Sequence, residues 1–115
     1  MNDFMTKMTM YGADVPAALN RLLDDAQLYE RCVTAFTQDA GFAALQKAIA
    51  DADYNEAFVQ AHTLKGVAAN LSLTPLLLAV SDLVEALRAQ NYSALDTQCA
   101  AVLAQQQSLA ALLCT

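Results

Sequence analysis

His62, Lys65 and Gly66 could together support phosphoryl chemistry on one face of a helix. His62 is the only histidine in the chain, and it lies in a strongly helical pattern between Asn55 and Leu71. A neutral imidazole is a good nucleophile near pH 7, because histidine titrates in this range. Lys65 and Gly66 follow at i+3 and i+4, the two spacings that share a helix face with His62. That face would present a nucleophile, a cation and a position without a side chain, which suits a phosphorylated histidine that another protein must reach.

The apolar periodicity of this helix predicts that His62 points away from the core. Successive residues of an α-helix rotate by about 100°, so one stripe collects the apolar residues Ala57, Ala61, Leu64, Ala68 and Leu71. His62 lies roughly 140° from the centre of that stripe. The residues around it on the outer face are Phe58, Lys65, Gly66 and Ala69. A glycine costs a helix about 1 kcal/mol relative to alanine, so Gly66 on this exposed face indicates clearance for an incoming group.

Residues 61–71, AHTLKGVAANL, resemble the signature of the histidine-containing phosphotransfer (HPt) domains of bacterial-type phosphorelays. The family pattern is a helix with His-x-Leu-Lys-Gly, then small residues, then an ending similar to Asn-Leu. The likeness extends to residues 11–14, 22–29 and 83–88, so it covers nearly the whole chain from about residue 11 onward. The chain departs from the pattern at Ala69, where a second glycine is frequent, and at Ser72, where a glycine commonly ends the helix. Val84 occupies a position often held by glutamate.

The resemblance implies a phosphocarrier and not an enzyme, since the chain has no nucleotide-binding or kinase motif. His62 would accept a phosphoryl group from an aspartyl phosphate on a response-regulator receiver domain and pass it to an aspartate on another receiver. Lys65 would stabilise the charge of the phosphoryl oxygens, because phosphoryl transfer depends on positioning and electrostatics. Gly66 would provide clearance for the partner.

Phe58, Ala69 and Thr63 are the expected docking residues. Phe58 would be an exposed aromatic one turn before His62, and the resemblance implies that Ala69, with Gly66, leaves room for the loops of the partner. Thr63 is either solvated or borders the partner. Partial burial of Phe58 under the amino-terminal helix is the alternative for that residue. The expected partners are receiver domains, with a hybrid histidine kinase as a further candidate. We expect no cofactor and no metal in this chain, since the receiver would bring its own Mg²⁺. We also expect a monomer.

Three other functions compete with the phosphocarrier. A surface histidine near a lysine is, taken alone, usually ordinary solvated surface, and a bundle of this kind could dock a receiver or kinase without carrying phosphate. A metal or redox enzyme is disfavoured, because one histidine and scattered cysteines do not assemble a normal set of metal ligands. The chain could also be one module of a larger kinase.

The composition indicates one all-α domain. A length of 115 residues suits a single domain, and the chain is 57% hydrophobic with only three glycines and two prolines. No segment reaches the roughly 18 uncharged apolar residues of a membrane span, and the start lacks the features of a secretion signal. We therefore expect a cytoplasmic protein.

The net charge and the cysteines argue against further classes of protein, namely nucleic-acid-binding proteins and proteins stabilised by disulfides or zinc. The net charge of −6 repels phosphate backbones, so nucleic-acid binding is not expected. Cys32, Cys99 and Cys114 fit neither a disulfide framework nor a zinc pattern. Cys32 and Cys99 fall at apolar helical positions, so we expect them to be small core residues with reduced thiols.

The periodicity and the cap signals predict an antiparallel up-down four-helix bundle, residues 13–115, with a short additional N-terminal helix. Residues 1–12 are set apart as an N-terminal tail, either loose or packed on the bundle. The predicted helix starts are Asp14 with Pro16, Asp24 with Gln27, Asp53 with Glu56, Thr74 with Pro75, and Ser93 with Asp96. The second of these helices has the stripe Leu28, Cys32, Ala35 and Phe36, which shifts phase near residues 38–41. This segment is therefore one kinked helix or two helices in series.

Overall fold

The computed structural model describes residues 3–115, and in this range it is all-helical, which confirms the predicted fold class. Seven helices follow one another: α1 (Asp3–Tyr11), α2 (Val15–Arg21), α3 (Ala26–Thr37), α4 (Gly41–Ala50), α5 (Tyr54–Asn70), α6 (Thr74–Arg88) and α7 (Leu95–Leu113). Helix α5 packs mainly against α4 and α6, and α6 packs against α7. Helices α3, α4 and α1 also contact α7. The structure thus shows a helical bundle, while the antiparallel up-down arrangement of four main helices stays a prediction.

Helices α3 and α4 are two helices in series, which decides between the two alternatives for this segment. Helix α3 ends where the backbone N–H of Gln38 donates to the carbonyl of Ala35 and that of Asp39 donates to the carbonyl of Phe36, each at 3.1 Å. The carboxylate of Asp39 then accepts a hydrogen bond from the backbone N–H of Gly41 at 2.7 Å, where α4 begins. The phase shift of the apolar stripe marks this break.

The N-terminal segment is packed on the bundle from residue 3 onward. Phe4, Met5 and Met8 of α1 are buried in the core. The ring of Phe4 meets that of Tyr29 edge to face, with 5.5 Å between the ring centroids. Of the two alternatives for this segment, the structure therefore shows packing and not a loose tail, and α1 is a helix that the sequence pattern did not predict. Residues 1 and 2 lie outside the described part of the chain.

Two of the predicted helix caps are confirmed. The carboxylate of Asp14 accepts a hydrogen bond from Ala17 N–H at 3.2 Å, and Asp53 accepts one from Glu56 N–H at 3.2 Å. The cap of α3 is displaced by one residue, since Asp25 and not Asp24 accepts from Leu28 N–H, at 2.9 Å.

Two other predicted caps are wrong. Helix α6 follows Leu73, with Thr74 as its first residue and no side-chain cap. Helix α7 follows Ala94 and has no side-chain cap, and the Ser93 hydroxyl donates to Asn91 Oδ1 at 2.9 Å.

The predicted core-facing stripe of α3 is confirmed at Phe36 and wrong in phase at Leu28, Cys32 and Ala35. The buried residues are Tyr29, Val33, Phe36 and Thr37, whereas Leu28 and Cys32 are half-buried and Ala35 is exposed. The reason is that Tyr29 is fully buried and its hydroxyl donates to the carbonyl of Leu71 at 2.9 Å. A buried tyrosine needs such a partner, and the partner comes from the end of α5.

The core-facing side of α6 is apolar and buried. Its buried residues are Leu76, Val80, Leu83, Val84 and Leu87. Cys99 is buried in α7, Cys32 is half-buried, Cys114 is exposed, and the three thiols are free. Within residues 3–115, no helix is long and apolar enough to cross a bilayer.

Candidate functional site

Helix α5 presents His62 to solvent. The stripe of Ala57, Ala61, Leu64 and Ala68 is buried, and Leu71 just after the helix is buried as well. His62, Thr63 and Gly66 are exposed on the other side of the helix. The orientation predicted from the periodicity is therefore confirmed.

The imidazole of His62 contacts an aromatic ring on its own helix. The ring of Phe58, one turn earlier, is stacked with it at 5.7 Å between centroids and 28° between planes. Within the described chain, no hydrogen bond or ion pair engages His62. Its ring nitrogens are thus not committed to a polar partner of this chain.

Lys65 lies one turn after His62 and is half-buried. Its ammonium makes no ion pair with any of the residues that the structure describes. By comparison, Lys7, Lys47 and Arg88 are each paired with an acidic side chain. The charge of Lys65 is therefore available to an anion that arrives beside His62.

Gly66 is next to open space. A Cβ placed on Gly66 would meet nothing within 4 Å. A Cβ on Gly41 would instead meet Asp39 Oδ1 at 2.9 Å and Leu64 Cδ2 at 3.2 Å. Packing inside this chain therefore accounts for a glycine at position 41 but not at position 66.

The three predicted docking residues lie on α5 with His62, and their role in docking stays a prediction. Thr63 is exposed, and its hydroxyl donates back to the carbonyl of Val59 at 2.8 Å. Phe58 and Ala69 are half-buried. The ring of Phe58 stacks on that of His62, and the guanidinium of Arg88 of α6 lies over it.

Two arginines near this face were not singled out from the sequence. The guanidinium of Arg88 lies over the Phe58 ring, 5.6 Å from its centroid, and is paired with Glu85. Arg21 of α2 donates through Nη1 to the carbonyls of Ala69 at 3.1 Å and Asn70 at 3.3 Å. Both contacts join residues on different helices, so the spacing of residues along one helix does not predict them. The one feature of the sequence that could have drawn attention to these arginines is that basic residues are few, six in all.

Ser72 follows the end of α5 in a left-handed conformation, with φ at 53°. Such a φ favours glycine, which agrees with the glycine that the HPt pattern commonly has here. The Ser72 hydroxyl accepts a hydrogen bond from Arg21 Nη1 at 2.5 Å. The end of the His62 helix is thus tied to α2 by a side chain that a glycine would not offer.

No group of three or more metal-ligating side chains is close together among residues 3–115. Acidic side chains outnumber basic ones by twelve to six along the chain. Against that background, Lys65 and Arg88 place two of the six cations on or next to the face that carries His62.

The family model described as "Hpt domain" matches residues 17–113 of the chain. The matched range includes α3 to α7 and with them His62, Lys65 and Gly66. Searches of curated proteins and of solved structures gave no match.

Proposed function

The chain belongs to the Hpt domain family, and we propose that it performs phosphotransfer through His62. In this proposal His62 accepts a phosphoryl group from a receiver-domain aspartyl phosphate and passes it to the aspartate of another receiver. The observation that carries the proposal is the exposed imidazole of His62, with open space at Gly66 on the next turn and with Lys65, which makes no ion pair within residues 3–115.

Each transfer exchanges one bond to phosphorus. A ring nitrogen of His62 attacks in line, the N–P bond forms, and the P–O bond to the donor aspartate breaks. The released carboxylate stays on the donor receiver. In the second transfer the carboxylate of the acceptor attacks, and the imidazole leaves with its electron pair. Positioning and charge stabilisation are the main requirements of such a reaction, so a carrier needs few catalytic groups.

Lys65 supplies the charge stabilisation on this chain. Its ammonium lies one turn from His62 and is free of ion pairs with residues 3–115, so it can approach the phosphoryl oxygens. A charge-assisted hydrogen bond of this kind is about twice as strong as one between neutral groups.

Gly66 has no side chain and Ala69 has a small one, so little projects from the surface of α5 on the turns after His62. The loops of a receiver active site can then reach a phosphoryl group on His62, while Phe58 and Thr63 border the docking surface. The receiver brings Mg²⁺ and its own aspartates, so this chain works without a metal or cofactor and is not a kinase by itself. Receivers in the cytoplasm, including one joined to a hybrid histidine kinase, are the proposed partners of a monomeric carrier.

The competing function is a docking module that binds a receiver without carrying phosphate. Incubation with a ³²P-labelled receiver, followed by separation of the proteins, distinguishes the two. We expect the wild-type chain to acquire acid-labile, base-stable label and His62→Gln to acquire none while still binding the receiver. Receiver binding without label on the wild-type chain would favour the docking module.

A further inference from the structure

The imidazole of His62 has a ring partner in place of a polar one. No hydrogen bond within residues 3–115 fixes its orientation. The contact that remains is the stacked ring of Phe58, 5.7 Å away. Aromatic rings at centroid distances of about 4.5–7 Å attract each other with a preferred geometry.

The ring of Phe58 is in turn held from the neighbouring helix. Arg88, the last residue of α6, places its guanidinium 5.6 Å from the Phe58 centroid, within the range of a cation–π interaction. Glu85, one turn earlier on α6, pairs with Arg88 and so restrains the guanidinium. A chain of contacts therefore links α6 to the imidazole on α5.

We propose that Phe58 is a positioning residue for the phosphoacceptor, and that Arg88 acts through it. Stacking on Phe58 limits the rotation of the imidazole, so that a ring nitrogen faces the incoming phosphorus for a larger share of the time. Near-attack orientation lowers the barrier of a transfer step. This inference rests on the proposed function of His62 and assigns to Phe58 a role in the rate of transfer, beyond its place in a docking surface.

NMR of the unphosphorylated protein tests the first part without any partner. His62 is the only histidine, so its ring C–H signals are identified by residue type alone. A stacked phenyl ring shifts such signals upfield. We expect Phe58→Leu to move them toward the positions of a histidine in an unstructured peptide, and Arg88→Gln to move them in the same direction by less. Arg88→Lys should restore part of the effect, because lysine keeps the charge but lacks the planar group.

Transfer kinetics test the second part. With a phosphorylated receiver, we expect Phe58→Leu to lower the transfer rate at saturating receiver about threefold or more, in the range of an aromatic pair. The receiver concentration for half-maximal rate should stay near the wild-type value. Tyr92→Leu is the matched control, since Tyr92 stacks on Tyr54 at 3.8 Å and not on His62; it should change neither the His62 signals nor the rate.

Three results would overturn the inference. One is unchanged His62 signals in folded Phe58→Leu, as judged by circular dichroism. Another is an unchanged saturating rate despite shifted signals. The third is a change confined to the half-maximal concentration, which would make Phe58 a docking residue only. Failure of the wild-type chain to take up label is a different result, because it would remove the proposed function while the NMR signals still report the stack.

Discussion

Arg21 and Ser72 are joined by a hydrogen bond of 2.5 Å from Nη1 to Oγ. Arg21 is the last residue of α2, and Ser72 lies just beyond the last turn of α5. The same guanidinium nitrogen donates to the carbonyls of Ala69 and Asn70, in the last turn, where the carbonyls have no N–H partner from a following turn of the helix. The Ala69 carbonyl also accepts from the backbone N–H of Ser72 at 3.1 Å. Arg21 thus closes the helix that carries His62, and its positive charge is favourable at this end of the helix dipole.

We expect Arg21→Ala to destabilise the fold by about 1 kcal/mol, because it removes a charged cap from these carbonyls. The measurement is the urea midpoint of unfolding. Arg31→Ala is the matched control, since exposed Arg31 has no ion pair or hydrogen bond within the described chain, and its effect should stay within about 0.5 kcal/mol. Equal effects of the two substitutions would show that the Arg21 contacts contribute nothing to stability.

Gly66→Ala should stabilise α5 by up to about 1 kcal/mol, because alanine is the better helix former and its Cβ would meet nothing within 4 Å. Gly66→Leu should preserve stability yet slow transfer from a phosphorylated receiver, because its side chain projects beside His62. Thermal melts and labelling rates measure the two effects.

Gly41→Ala is the control for the stability gain, since its Cβ would lie 2.9 Å from Asp39 Oδ1, and no gain is expected there. Transfer by Gly66→Leu at the wild-type rate would contradict the clearance that we assign to Gly66.

Lys65→Ala should slow phosphorylation of His62, or shift its equilibrium toward the receiver, because the phosphoryl oxygens lose a neighbouring cation. Stability should change by no more than about 0.5 kcal/mol, as for other surface positions. Lys65→Arg should restore only part of the rate, because the guanidinium presents its donors in a different geometry.

The control is Lys47→Ala, which removes a lysine paired with Asp51 on α4 and should leave transfer unchanged. If Lys65→Ala transfers as fast as the wild type, Lys65 is ordinary solvated surface.

Alkaline pH should destabilise the fold through Tyr29. Burial, and then the charge of Asp14, raise the pKa of Tyr29 from 10.0 to about 12. The pKa of Tyr29 is higher in the folded than in the unfolded state. Protonated Tyr29 therefore stabilises the fold fully below pH 10, and this stabilisation is lost as the pH rises toward 12. Burial also raises the pKa of Tyr11 to about 12, so both tyrosines contribute in this window.

Tyr29→Phe should cost about 1 kcal/mol at pH 7, since the hydrogen bond to the Leu71 carbonyl is lost. The fall in stability between pH 10 and 12 should become shallower, and shallower still in the double variant with Tyr11→Phe. Urea midpoints measured across this range are the test, and an unchanged slope in Tyr29→Phe would contradict the assignment.

The geometry of the candidate site could be predicted from the sequence because it is local to one helix. His62, Lys65 and Gly66 take their relative positions from helical spacing, and the buried stripe of α5 fixes which way they face. The cap at Asp53 was predictable for the same reason, since the carboxylate and the N–H that it accepts from lie three residues apart.

The features that could not be predicted depend on contacts between distant segments. Tyr29 is buried because its hydroxyl reaches Leu71, 42 residues away, so the periodicity of α3 alone gave the wrong phase. Arg21 and Arg88 reach α5 from α2 and α6 in the same way. The packing of α1 likewise depends on surfaces of α7 that a local pattern does not reveal.

The most direct test of the proposed function is to locate the phosphoryl group on the chain. The wild-type chain would be phosphorylated by a receiver, and the modified residue would be located by mass spectrometry under neutral conditions, before and after addition of an unphosphorylated receiver. We predict one phosphoryl group on His62 that disappears from it and is recovered on the added receiver. A phosphoryl group on another residue, or one on His62 that no receiver removes, would contradict the role of this chain as a phosphocarrier.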